Sequence, residues 1–280
     1  LTLIQEKHAA LRALRLGDPE PWNRYRTERE CQFWDPEDRP VLGSVVLNVG
    51  LKKNRDGLKD RVARFGALDR QQGSLAKGEL PHWWGVIRDV DAHGNSLLVW
   101  EGKCVTDEDA ADVMIRHGVP RTCVVVDSGD DTTHVYQFCL KHGFNAIKGG
   151  PEANFSHPDG ARRIFSPERP LHLMRRAPAT NDDPAQEPLF WWYSKSGIRE
   201  RLHWLRCGGA VKWEVPGDVS EDYKNHMESE EVRTRKHART GETITEWVQV
   251  KSRNDLFVCE AYIALLMDMA GIIGSRTTNR

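Results

Sequence analysis

Three acidic side chains, Asp69, Asp127 and Asp255, stand where the sequence pattern stops a strand or starts a helix. Asp127 closes the short apolar run in Thr122-Cys-Val-Val-Val-Asp-Ser-Gly129, Asp69 closes Phe65-Gly-Ala-Leu-Asp69, and Asp255 opens the apolar segment 256–273. Carboxylates at strand ends, joined by one from a later helix, can meet across a sheet and hold hard divalent cations for phosphodiester chemistry. Glu260 follows five residues after Asp255 and shares its helical face poorly, which makes it an alternative ligand or a supporting group. Lys148, in Lys148-Gly-Gly150, is placed to reach a scissile phosphate or to order a carboxylate. Each residue also has an ordinary structural explanation. Asp127-Ser-Gly can be a strand-to-helix turn, Asp69 can pair with Arg70, and Asp255 can be a first-turn acid favoured by the helix dipole. A carboxylate directly after Val-Val-Val is harder to explain that way, because its burial is costly without a cation or donor.

The elements that would carry these residues are legible from residue 65 onward. A strand over 65–69 precedes a polar loop; apolar runs 83–90 and 96–103 flank the hairpin turn Asp91-Ala-His-Gly-Asn95. Thr106-Asp-Glu-Asp109 is a capping box that predicts a helix to about His117. A buried strand over 121–127, a helix to about His142 and a short strand over 144–147 complete the order β-β-β-α-β-α-β. That order predicts an α/β fold, a ribonuclease H-like mixed sheet flanked by helices. A basic hairpin insertion is expected around His157-Pro-Asp-Gly160, then a low-order stretch over 177–188. An aromatic strand over 189–195, a helix over 197–205, a charged helix over 223–237, a strand over 243–250 and a last helix from 254 or 255 to about 273 follow. Residues 1–62 read as a lead-in with a helical start over 1–16, and residues 63–280 as the folded domain.

Composition sets outer limits. A formal net charge of −1 excludes a globally basic nucleic-acid binder, so any DNA contact needs a local patch beside an acidic centre. Arg162 and Arg163 in the hairpin, with Lys195 and Arg199 after the aromatic strand, are the candidates; Arg175, Arg176, Arg201 and Lys212 lie nearby in sequence. The six cysteines form no Cys-x-x-Cys pair, which argues against zinc and fits a reducing cytosol. The long apolar segment carries Glu260 and Asp268, as a core helix rather than a membrane span does. No phosphate loop, G-x-G-x-x-G or G-x-S-x-G motif is present, so no nucleotide is expected to bind. A chain that opens on Leu1 and runs straight into a helical pattern is expected to be part of something longer.

Several stretches in order resemble a known family. They are Ala67-Leu-Asp-Arg-Gln-Gln-Gly73 with Trp83-Trp-Gly-Val-Ile-Arg88, Val124-Val-Val-Asp-Ser-Gly129 with Val135-Tyr-Gln-Phe-Cys139, and Ala146-Ile-Lys-Gly149. Tyr223-Lys-Asn-His-Met-Glu-Ser-Glu230 with Trp247, and Arg253-Asn-Asp255 with Cys259-Glu-Ala-Tyr262, continue the series over roughly residues 65–270. Together they resemble the C-terminal nuclease part of the large subunit of tailed-phage DNA-packaging terminases, nearest the lambda-type branch. The resemblance implies a ribonuclease H-like endonuclease that uses two Mg²⁺ or Mn²⁺ ions to cut concatemeric double-stranded viral DNA in the host cytoplasm. It implies an ATPase motor missing from this chain, to which residues 1–62 would be the linker, and the portal and small terminase subunit as partners. Its two strand aspartates fall on Asp69 and Asp127 and its helix acid on Asp255. Many relatives carry an aspartate where this chain has Val258, which leaves the third ligand open between Asp255 and Glu260. A non-catalytic DNA-binding or docking module, or a resolvase- or integrase-like nuclease of the same fold, are the alternatives.

Overall fold

The computed structural model describes residues 3–15, 25, 47–48, 57–73, 78–171, 188–207, 211–236 and 243–273. In chain order the elements are α1 (Leu3–Arg15), β1 (Leu47–Asn48), β2 (Arg61–Gln71), β3 (His82–Asp91), β4 (Ser96–Cys104), α2 (Asp107–Arg116), β5 (Val124–Asp127), α3 (Thr132–His142) and β6 (Asn145–Gly150). They continue with β7 (Phe155–Ser156), β8 (Arg162–Arg163), β9 (Arg169–Pro170), β10 (Leu189–Ser194), α4 (Lys195–Cys207), β11 (Trp213–Pro216), α5 (Glu221–Met227), β12 (Glu230–Lys236), β13 (Thr243–Gln249) and α6 (Asp255–Met269).

One mixed sheet organises the molecule, in the order β1-β11-β4-β3-β2-β5-β6-β10-β9. Strands β2, β3 and β4 form the expected antiparallel meander; β5, β6 and β10 then add in parallel on the free side of β2. Strict side-chain alternation divides two cores. Leu68, Trp83, Ile87, Val124 and Val126 face α2 and α3. Phe65, Ala67, Trp84, Val86 and Val125 face α4, α5 and α6. Helix α6 is apolar around its whole circumference and is buried between the sheet and α4 and α5, as such a helix must be. Among the described residues no helix is long and apolar enough to cross a membrane.

Several boundaries follow directly from the sequence. The Thr106–Asp109 capping box is formed in both directions, and α3 ends on Gly143 at φ 72°, a left-handed turn that glycine adopts without strain. The hairpin at 157–160 exists as β7 and β8, with Phe155 opposite Arg163 and Ser156 opposite Arg162. One element is corrected. The charged segment expected as a helix over 223–237 is helical only through Met227, where Ser220 caps α5 by accepting from the Tyr223 N–H. From Glu230 the chain becomes β12, paired antiparallel to β13 with Val232 opposite Trp247. The charges there lie on a two-stranded ribbon, not on a helix bridged at i and i+4. The low-order stretch over 177–188, apart from residue 188, and the bulk of the lead-in lie outside the described residues, as do Arg175 and Arg176.

Candidate active site

Asp69 and Asp127 are in-register partners on the adjacent parallel strands β2 and β5. Neighbouring strands are about 4.8 Å apart, and partners in register point to the same face. Since Ala67 and Val125, two residues before each, both face α6, the two carboxylates emerge side by side on that face at the C-terminal edge of the sheet. Ligand sites in open α/β sheets gather at this edge, because each strand stops there and releases its last side chains. A cavity of about 310 Å³ opens over them, lined by Asp69, Gln71, Asp127, Gly129, Asp130, Lys148, Gly149, Tyr193, Lys195, Arg199, Val258 and Tyr262.

The two carboxylates are thinly compensated. Asp69 accepts from Gln71 Nε2 at 2.7 Å. Burial first, then the charges of Asp127 and Asp255, raise its pKa well above the ordinary carboxylate range. Asp127 accepts from the Gly129 N–H at 3.3 Å and from Tyr193 Oη at 3.4 Å. Burial pushes it up to about 6, against the lowering effect of these donors and of the nearby Lys195 charge. Such a pair binds a proton or a cation more readily than it stands as two bare anions. Tyr193 and Tyr262 close the wall beside Asp127, with their hydroxyls 3.0 Å apart and both phenol pKa values raised by burial.

Asp255 starts α6 close enough to Asp69 to act on it electrostatically, yet it does not line the cavity. Its Oδ2 lies 3.5 Å from Arg253 Nη1 and 3.9 Å from His226 Nε2. The Leu256 N–H donates to His226 Nδ1 at 3.2 Å, which assigns the proton of the neutral ring to Nε2, facing Asp255. Burial lowers the His226 pKa, against the opposing charge of Asp255, and so favours the neutral ring. One turn on, Val258 presents an isopropyl group to the cavity, and Tyr262 follows on the same helical face.

The other expected site residues divide between the cavity and places away from it. Glu260 does not line the cavity: five residues from Asp255, it points to the far side of α6 and is fully buried against Arg88. Arg88 Nε and Nη2 donate to its two oxygens at 2.6 and 3.0 Å. Lys148 borders the cavity, but its ammonium is on the α3 side of the sheet, 3.3 Å from Thr132 Oγ1 and 6.0 Å from the Trp192 ring centre. The register explains this: Ile147 is the partner of Asp127, so Lys148 takes the opposite face. Arg199 reaches the cavity, where buried Glu230 grips it through Nε at 2.5 Å and Nη2 at 3.0 Å. Arg162 and Arg163 border a separate groove of about 870 Å³ with Arg201, Asp268 and Trp191. Asp268 is thirteen residues along α6 from Asp255, about 20 Å at 1.5 Å per residue, so this groove is not part of the carboxylate cavity.

Lys195 therefore takes the place expected for Lys148. It is the first residue of α4, directly after β10, and forms no ion pair among the described residues. Its stem lies across Gly149, where a Cβ would fall 2.5 Å from Lys195 Cε and 2.9 Å from Tyr193 Oη. Gln71, Tyr193 and Tyr262 carry no sequence motif. Gln71 and Tyr262 fall within the stretches quoted for the resemblance without a role there, and the one signal for Tyr193 was the strand ending Trp-Trp-Tyr193-Ser-Lys195, which passes from apolar to polar as the strand before Asp127 does. Among the described residues no three His, Cys, Asp or Glu side chains converge as a ready metal cage. Set against family models, curated proteins and solved structures, the chain finds no match in any of the three.

Proposed function

We propose that this chain is a divalent-metal-dependent endonuclease acting on double-stranded DNA, with a ribonuclease H-like core and a role in cutting viral genomes during packaging. One observation carries the reading: Asp69 and Asp127 stand in register at the ends of adjacent parallel strands, on the floor of an open cavity that Lys195 overlooks. The meander followed by parallel strands and helices supports the ribonuclease H-like assignment. Packaging, the portal and small-subunit partners, the host cytoplasm and the linker role of residues 1–62 rest on the terminase resemblance alone.

The donor set fits a hard cation. Two carboxylates on one face offer only oxygen; burial raises the pKa of both, and for Asp69 the charges of Asp127 and Asp255 add to it, a cost that a Mg²⁺ or Mn²⁺ ion would relieve. Asp69 and Asp127 would hold it between them. A second ion would draw on Asp255, whose carboxylate is shared with Arg253 and His226. Bound there, the metal supplies Lewis acidity and a water of lowered pKa. The remaining work falls to the chain. Gln71 fixes one oxygen of Asp69, the Gly129 N–H and Tyr193 fix Asp127, and Lys195, without an ion-pair partner among the described residues, offers its ammonium to a phosphodiester oxygen. Arg199, held by Glu230, adds positive charge at the rim without being free to swing. These contacts meet the phosphate backbone and not the bases, so cutting should show weak sequence preference.

The test is cleavage of supercoiled plasmid in Mn²⁺. Asp69→Asn and Asp127→Asn should each lower the rate by at least about 10²-fold, ~2.7 kcal/mol of transition-state stabilisation, with unchanged circular dichroism. Undiminished cutting by both variants would overturn the assignment. Val258 on the cavity wall favours one other reading, a DNA-docking module without catalysis. Wild-type protein that binds DNA but never nicks it in Mn²⁺ would establish that reading instead.

A further inference from the structure

The wall of the cavity beside Asp127 holds two phenols brought from distant parts of the chain. Tyr193 is the penultimate residue of β10, and Tyr262 sits two turns into α6. They are 3% and 1% exposed, and their rings meet edge to face at 5.4 Å. The two hydroxyls are 3.0 Å apart, and Tyr193 Oη is 3.4 Å from Asp127 Oδ1. A proton count fixes what this chain does. Two phenols carry two protons; one bridges the pair, and the other requires an acceptor, which Asp127 supplies. Whichever phenol leads, the series ends on the carboxylate. With the Gly129 N–H on Oδ2, each oxygen of Asp127 then receives one donor from the protein. Its remaining lone pairs are left for the cavity.

Gly149 belongs to the same device. A side chain there would collide with Tyr193 Oη and with the stem of Lys195, so the absence of a Cβ keeps both in place. We propose that Tyr193, seated over Gly149, and Tyr262, hydrogen-bonded to it, are positioning residues that lock the Asp127 carboxylate in the orientation that receives a divalent cation beside Asp69. This rests on the metal-dependent reading above and extends it to residues that touch neither phosphate nor water. Loss of a hydrogen-bonding partner behind a metal ligand commonly weakens metal binding by about 10–100-fold.

The experiment is a Mn²⁺ titration of the full chain, following free Mn²⁺ by electron paramagnetic resonance, alongside plasmid nicking against Mn²⁺ concentration and metal-free thermal melting. Tyr193→Phe with Tyr262→Phe keeps both rings and removes both hydroxyls. The double variant should need about 10–100-fold more Mn²⁺ for half-saturation, and Gly149→Ala should shift it in the same direction. A lowered melting midpoint with unchanged half-saturation would mean that the phenols are structural only, and would overturn the proposal. Wild-type protein that binds Mn²⁺ without nicking would remove the nuclease reading and leave the phenols to be judged by the titration. Wild-type protein that neither binds Mn²⁺ nor nicks would remove both.

Discussion

Buried acids lie on two sides of helix α6, Glu260 on the helix itself and Asp69 on the facing strand β2, and they are treated in opposite ways. On one side Glu260 meets Arg88, with both side chains fully buried and two matched hydrogen bonds between them. The remaining Arg88 donors go to Ser96 Oγ and the Glu214 carbonyl, each at 3.0 Å, and to Tyr223 Oη at 3.4 Å; Tyr223 Oη donates in turn to Glu260, and the Trp213 ring lies 3.9 Å from the guanidinium. On the other side, Asp69 has one amide donor and a second carboxylate as its strand neighbour. A fully matched buried pair knits elements together, whereas an undermatched pair in an open cavity has capacity left for a ligand. Matching separates the two acids more sharply than burial does, since both are buried.

Breaking each site should have opposite consequences for stability. Glu260→Ala leaves Arg88 without its partner in the core and is expected to cost ~3–5 kcal/mol. That is a fall of about 10 °C or more in melting midpoint for a domain of this size. The paired replacement Arg88→Met with Glu260→Leu should recover most of the loss, because no orphaned charge remains. Asp69→Asn should leave the midpoint level or higher, since it removes repulsion. Calorimetry on the metal-free protein reads all three. A fall for Asp69→Asn as large as that for Glu260→Ala would erase the distinction.

The two lysines at the cavity offer a second, smaller contrast. Lys195→Ala should lower kcat/KM for plasmid nicking by about 10–100-fold if its ammonium meets the phosphate. Lys148→Ala, whose charge sits with Thr132 and Trp192, should change it by less than about threefold. Equal losses would return Lys148 to the site.

These lysines also mark how far the sequence could be read. Asp69 and Asp127 were visible because an apolar run stops at each, Asp255 because one starts after it, and a carboxylate directly after Val-Val-Val is the hardest of the three to explain by turn or capping chemistry. Helical geometry already told against Glu260, since five residues turn the helix about 140° away from Asp255. The faces of Lys148 and Lys195 were hidden because they depend on register, and register is decided by the neighbouring strand. Segment 230–236 was misread for a related reason. Val232 is its only apolar residue, so a period of 2 and a period of 3.6 cannot be told apart until Trp247 is known to lie opposite. Tyr193 and Tyr262 become a pair only when β10 docks against β6 and α6 crosses behind the strand ends.

The finest test of the contrast uses pH. Asp127 titrates near 6 in the folded chain against an ordinary value of 3.8, so the folded state binds this proton more tightly than the unfolded state does. Its contribution to stability is therefore fully present below the unfolded value and is lost as pH rises through the folded one. The metal-free wild type should lose a few degrees of melting midpoint relative to Asp127→Asn between about pH 4 and 7, the window that the shift from 3.8 to about 6 sets. At the upper end of that window, if the proposed site binds metal, Mn²⁺ should restore the midpoint of the wild type and not that of the variant, because the cation would take the place of the proton between Asp69 and Asp127. Parallel curves for the two proteins across the window would show that Asp127 is as well matched as Glu260. The difference between the two sides of α6 would then have no bearing on function.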